Sequence, residues 1–222
     1  LRQGKLIEDA RCGGTSGCVE TGAFGKESYI LTGYFNLVKV LEITLNNGVD
    51  PLTEKALGLP LSVDHVTSLD ELLSIYEKQV RHFIDIKMAG NNIIETLYAK
   101  YMPAPFMSII IDDCISKGMD YNEGGARYNT SYIQGVGIGT LTDSIASIQV
   151  NVFEKKRLSL VKLREILLQN FRGHEDLRLL ALNKTPKYGN DDDSADLLMR
   201  RLFQVFYNSV DDRPNIKGGK YR

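Results

Sequence analysis

Apolar side chains recur at helical spacing along much of the chain. Leu37, Val38, Leu41, Thr44 and Leu45 form one such stripe. Asn36 stands where a cap is needed and Gly48 falls just past the end, within a stretch from Glu27 to Asn47 that reads as helical. Residues 48–64 carry Gly, Pro and Asp at frequent intervals and read as a loop. The longest periodic stretch runs from about residue 69 to residue 100, with Leu72, Leu73, Tyr76, Val80, Phe83 and Ile84 on or near one face. Ser68-Leu-Asp-Glu71 opens it as a capping box. Gly90 interrupts it, so a kink or a break into two helices is expected there. Pro103 and Pro105 end the pattern. The apolar run Phe106 to Ile115 suits a strand as well as a helix, but Gly118 after Ser116-Lys117 has the look of a helix stop and favours helix. Ser144 to Phe153, Ser159 to Phe171 and Asp193 to Asn208 each suit helices. Residues 1–11 fit a short strand or a short helix equally well.

Two glycine-rich segments break this periodicity. Tyr121 to Gly139 contains Gly135-Val-Gly-Ile-Gly139, which lacks the spacing of a dinucleotide loop and has no Walker lysine after it. A turn or a strand packed closely on the core is the better account. Cys12 to Glu27 holds two of the three cysteines and five of the twenty glycines. Each glycine in a helix costs about 1 kcal/mol against alanine, and sheet interiors disfavour glycine too. The segment therefore reads as a loop that turns tightly or approaches something closely. If Cys18-Val19-Glu20 is extended, Cys18 and Glu20 face one side, roughly 6.6 Å apart, and Val19 faces the other. A thiol and a carboxylate would then meet one small molecule. A buried thiol beside a helix-capping Glu is the plainer alternative.

Bulk numbers narrow the field. At 222 residues, 43 % hydrophobic and 25 % charged, the chain reads as one domain's worth of globular protein. A net charge of -1 offers no basic field for nucleic acid. No apolar run reaches the roughly 20 residues of a membrane span, and the N-terminus has no signal-peptide architecture. Three cysteines suit a reducing compartment better than a disulfide framework. Cys12 and Cys18 have no close histidine, which disfavours zinc, and His65, His82 and His174 are isolated. Asp191 to Asp193 read as helix caps rather than as a metal site, since no EF-hand Gly and closing Glu follow.

Ser16-Gly-Cys18-Val-Glu20-Thr-Gly, Thr32-Gly-Tyr34-Phe-Asn36, Lys39-Val-Leu-Glu42 and Leu45-Asn-Asn-Gly48 together resemble the active-site cysteine loop of the glycyl radical enzymes, the pyruvate formate-lyase-like group. Pro103-Ala-Pro-Phe-Met-Ser108, Asp112-Asp-Cys114 and Tyr121-Asn-Glu-Gly-Gly-Ala-Arg-Tyr-Asn129 agree. The resemblance covers nearly the whole chain and is strongest to the members that dehydrate trans-4-hydroxy-L-proline. It implies an α/β fold, a helix-rich part of a ten-stranded α/β barrel, with residues 1–222 forming a partial catalytic domain that contains the cysteine loop.

The same resemblance implies a radical mechanism. Cys18 becomes the thiyl radical that takes a hydrogen atom from the substrate. Glu20 assists the loss of water by moving a proton, giving 1-pyrroline-5-carboxylate from hydroxyproline. Hydrogen-atom exchange needs a neutral S–H, which burial favours. Tyr34 is expected to bind substrate, with Thr21 and Phe24 shaping the pocket. Arg127 is expected to be mainly structural, although Arg can also grip a carboxylate bidentately. No cofactor is expected to bind the chain directly. The glycyl radical would sit on a residue outside it, installed by a radical S-adenosylmethionine activating enzyme, in the anaerobic cytoplasm. The full-length protein is expected to be a homodimer. None of the twenty glycines stands in the family's Arg-Val-x-Gly-Tyr loop, so an internal or truncated section, inactive alone, is expected. Diol dehydration, choline cleavage, acyl transfer from pyruvate and a non-catalytic binding module are the alternatives.

Overall fold

The structure, a computed structural model, describes residues 4–17 and 20–222. In chain order its elements are α1 (Ile7–Arg11), β1 (Gly13–Ser16), β2 (Glu20–Ala23), β3 (Glu27–Asn36), α2 (Leu37–Leu45), β4 (Val49–Asp50), β5 (Lys55–Ala56), α3 (Leu69–Tyr101), α4 (Pro105–Ile110) and α5 (Cys114–Lys117). A 3-10 turn at Tyr121–Glu123, β6 (Tyr128–Val136), α6 (Ile138–Ile148) and a π-helical turn at Gln149–Glu154 follow. Then come α7 (Leu160–Leu168), α8 (Glu175–Asn183), α9 (Asp193–Val210) and β7 (Lys220–Tyr221). The mixture is the helix-rich α/β fold expected.

The chain divides into two compact units. One gathers Asn36–Ile84 and Gly135–Ser209 and is mostly helical. Its core is largely aliphatic: Leu37, Leu41, Leu72, Val80, Leu141, Ile145 and Leu202 are buried, with Tyr76 among them. Tyr76 donates its hydroxyl to the Leu37 carbonyl at 3.0 Å. Asn36 caps α2, accepting from the Lys39 N–H at 3.0 Å. Ser159 caps α7 in the same way at 3.1 Å. Of the acidic triplet it is Asp192 that caps α9, accepting from the Ser194 N–H at 3.0 Å. Gly137, at φ 85, begins α6 where a Cβ would stand 2.9 Å from Val38 Cγ2.

The other unit gathers Leu1–Phe35, Asp85–Gln134 and Val210–Arg222. Here β1 and β2 form an antiparallel hairpin, with Gly13 opposite Ala23 and Ser16 opposite Glu20. A separate sheet has the order β3-β6-β7. In it β7 runs parallel to β6, with Thr130 opposite Lys220 and Ser131 opposite Tyr221.

Several expectations need correction. Residues 27–36 are a ten-residue strand, not the start of a helical stretch. Its β-favouring Tyr29, Ile30, Thr32 and Phe35 join a sheet that local periodicity cannot reveal. The Cys12–Glu27 loop contains paired strands. Its glycines admit close approach: a Cβ at Gly13 would sit 2.6 Å from the Gly22 carbonyl oxygen, and one at Gly22 would meet the Tyr29 ring at 2.3 Å. Gly90 neither breaks nor ends α3, which runs unbroken through it for 33 residues. Residues 106–115 are helical but divided, with Asp113 at φ 76 between α4 and α5. The helix expected from Ser144 begins six residues earlier, at Ile138. Helix α8 and strand β7 were not anticipated at all. Residues 1–11 resolve to the helix α1.

Candidate active site

The site is built on the β1–β2 hairpin. Cys18, the expected radical-bearing thiol, and Val19 lie outside the described residues. Glu20 opens β2 and is buried, only 6 % exposed. Its carboxylate lies against Gly17 (φ 65), where a Cβ would come within 2.7 Å of Glu20 Oε2. Glycine is therefore required at 17 both for its backbone angle and to leave room for the acid. Thr21 is exposed, with its Oγ 3.4 Å from the Tyr132 hydroxyl. Phe24 is half exposed and lays its ring over Gly14 of β1, where a Cβ would stand 3.0 Å from Phe24 Cζ. Tyr34 lies farther along, on β3, and is 62 % exposed. The hairpin thus gathers Glu20, Thr21 and Phe24, while Tyr34 is carried by the neighbouring strand.

Side chains that spacing did not single out hold these elements. Glu27 is fully buried at the start of β3. Its Oε2 accepts from the Ala23 N–H at 2.8 Å and from Lys5, and its Oε1 accepts from the Thr130 hydroxyl at 2.6 Å. Tyr132, half-buried on β6, donates its hydroxyl to the Thr21 carbonyl at 2.6 Å. Beside Tyr34, the Gly33 backbone adopts φ 131, and a Cβ there would lie 2.7 Å from Lys87 Nζ. Lys87 donates to the Thr32 carbonyl at 2.9 Å and to Asn91 at 3.1 Å, and burial pulls its pKa down.

Arg127 is held among acidic side chains of the protein itself. Its guanidinium grips Asp113 through two bonds, at 3.2 and 3.0 Å, and reaches Asp9 on α1 at 3.2 Å and Asp112 at 3.3 Å. Asp9 also accepts from the Tyr128 hydroxyl at 2.8 Å. That hydroxyl, with Lys26 and Arg127 behind it, holds the Asp9 carboxyl below its ordinary range against the opposing effect of burial. Arg127 therefore spends its donors on the protein's own carboxylates. On the other face of β6, Ser131 donates to Glu95 Oε1 at 2.6 Å, and Lys217 Nζ lies 3.4 Å from the same oxygen. Burial lowers the Lys217 pKa. Cys12 is an exposed free thiol, whereas Cys114 is buried, which pushes its thiol pKa up. Among the described residues no cluster of His, Cys, Asp and Glu is placed to hold a metal. No helix among them is long and apolar enough to cross a membrane.

A family model described as pyruvate formate lyase-like matches residues 1–222. The chain belongs to the pyruvate formate lyase-like family. Its resemblance to the glycyl radical enzymes is thereby established. It is 56 % identical over its full length to the trans-4-hydroxy-L-proline dehydratase of Clostridioides difficile, covering 28 % of that protein. It superposes with a TM-score of 0.96 on the crystal structure of the Clostridioides difficile hydroxyproline dehydratase with trans-4-hydroxy-L-proline bound, covering 99 % of this chain and 28 % of that one. The glycerol-bound B12-independent glycerol dehydratase of Clostridium butyricum is 32 % identical, with a TM-score of 0.93 over all of this chain and 28 % of that one. A glycyl radical enzyme of Archaeoglobus fulgidus is 33 % identical, with a TM-score of 0.90 over 99 % of this chain and 28 % of that one. The chain thus spans a little over a quarter of the length of these relatives.

Proposed function

We propose that the full-length protein is a glycyl radical dehydratase acting on trans-4-hydroxy-L-proline, and that this chain supplies its thiol and acid. Cys18 is the hydrogen-atom acceptor. It takes one hydrogen atom from a C–H of the ring, leaving a carbon radical next to the carbon that bears the hydroxyl. The C–O bond then breaks as a proton reaches the departing oxygen, and Glu20 manages proton traffic at the hydroxyl or amine. Water leaves, and Cys18 returns its hydrogen atom to the product radical, giving 1-pyrroline-5-carboxylate. The overall reaction is redox-neutral. Tyr34 contributes a hydroxyl to the substrate, and Thr21 and Phe24 shape its surroundings. The radical is supplied from a glycine outside this chain, installed by a radical S-adenosylmethionine activating enzyme in an anaerobic cytoplasm, and the full-length protein is a homodimer.

The observation that carries the substrate is the 56 % identity across the whole chain to a hydroxyproline dehydratase. Diol dehydration comes second, because a relative 34 % identical is a (2S)-3-sulfopropanediol dehydratase. The test uses full-length protein, activated without oxygen and offered hydroxyproline, glycerol and 1,2-propanediol. Water loss from hydroxyproline alone, abolished in C18S and E20Q, is expected. Turnover of a diol instead would remove the hydroxyproline assignment, and full activity in C18S would remove the mechanism.

A further inference from the structure

The β1–β2 hairpin is a two-stranded ribbon outside the three-stranded sheet. Such ribbons are marginally stable alone. In an antiparallel pair, alternate residues turn both backbone groups away from the partner strand. Thr21 and Ala23 share that parity on β2, and their groups are bonded elsewhere. The Thr21 carbonyl takes the Tyr132 hydroxyl at 2.6 Å, and the Ala23 N–H goes to Glu27 Oε2 at 2.8 Å. Glu27 is itself fastened to β6 through the Thr130 hydroxyl at 2.6 Å. Thr130 and Tyr132 are two apart on β6, as Thr21 and Ala23 are on β2. The spacing of the anchors matches that of the groups they hold. Side chains here do what a third strand would do.

Resting on the dehydratase reading above, we propose that Glu27 and Tyr132 are positioning residues that fix β2, and through it the Glu20 carboxylate, at the reacting atoms. Neither touches substrate. Their effect is geometric, and a displacement near 1 Å is enough to slow a reaction on the order of 100-fold. The amide of E27Q can keep the contacts to β2 and β6, with its oxygen on the Ala23 N–H and its nitrogen donating to the Thr130 hydroxyl, and gives up only the charge paired with Lys5. E27A cannot. Y132F removes a single hydroxyl and leaves the ring in place.

The test compares full-length wild type, Y132F, E27A and E27Q by backbone hydrogen exchange, thermal unfolding, glycyl radical content by electron paramagnetic resonance, and kcat and KM for hydroxyproline. Faster exchange confined to residues 20–23 in Y132F and E27A is expected. So is a kcat lower by on the order of 10- to 100-fold at unchanged radical content, with a near-wild-type melting temperature in Y132F, a lowered one in E27A, where Lys5 loses its counter-charge, and E27Q closer to wild type than E27A. Unchanged exchange at 20–23 in Y132F, or a kcat loss in Y132F that merely follows global destabilisation, would overturn the proposal. A wild type that leaves hydroxyproline untouched would sink the dehydratase reading instead. The exchange measurement would still decide whether the two side chains hold the strand.

Discussion

In the helical unit the fully buried side chains include Leu72, Tyr76, Val80, Leu141 and Ile145 beside the uncharged Thr44, Gln79 and Thr142, and among its described residues Asp50, paired with Lys39, is the one buried charge. In the hairpin unit the buried set includes Asp9, Glu20, Glu27, Glu95 and Lys217. Aliphatic packing is strong but non-directional. Hydrogen bonds and ion pairs in a poorly polarisable interior are directional, and costly if left incomplete. The contrast follows from what each unit has to do. A helical block needs bulk stability. On the proposed function the hairpin aims the Glu20 acid, and for that its angles must be fixed.

The contrast can be broken most sharply at Lys217. Lys217→Ala leaves the Glu95 carboxylate buried without its cation, and about 3–5 kcal/mol of stability should be lost. Adding Glu95→Leu to Lys217→Met should return most of that loss, measured by urea unfolding. A double variant as unstable as Lys217→Ala would mean that something other than an orphaned charge is responsible. In the helical unit Leu141→Ala, at a fully buried position, should cost about 2–5 kcal/mol through the cavity it leaves. A loss much below that range would show that the aliphatic block is loosely packed and that the contrast is overstated.

The smallest effect concerns acid. Asp50 in the helical unit is held at about 2 by Lys39 first, then by the Thr53 hydroxyl and the Leu52 N–H. Its unfolded pKa is about 3.9. A depressed carboxyl stabilises the fold above the unfolded value and loses that contribution as pH falls toward the folded one. Stability should therefore decline between about pH 4 and pH 2. Asp50→Asn should flatten that part of the unfolding profile without changing the hairpin's amide exchange.

Elements defined by their own neighbours were readable in advance. Asn36 capping α2, the buried face of α3 and the helix after Ser159 all depend on residues within a few positions of each other. The family resemblance was legible for the same reason, since it rests on contiguous phrases. What stayed hidden depends on partners far along the chain. Strand β3 looks helical until β6 lies beside it. Strand β7 is two residues whose role exists only against Thr130 and Ser131. Glu27 and Tyr132 matter through bonds spanning 103 and 111 positions to Thr130 and to Thr21. One signal was available: the Tyr-Asn-Thr-Ser-Tyr-Ile run at 128–133 has strand character, and its alternation places Thr130 and Tyr132 on one face.

The hairpin unit is stitched from three separated stretches, and its last one contributes the strand that pairs with β6. Contacts between residues so remote demand that long loops close before they return any free energy. The helical block, richer in local contacts, is expected to form early, and the scaffold beneath Glu20 only after the most distant segments have met. On refolding, amide protection at Ala23 should lag behind that at Tyr76, so the acid would be aimed last of all.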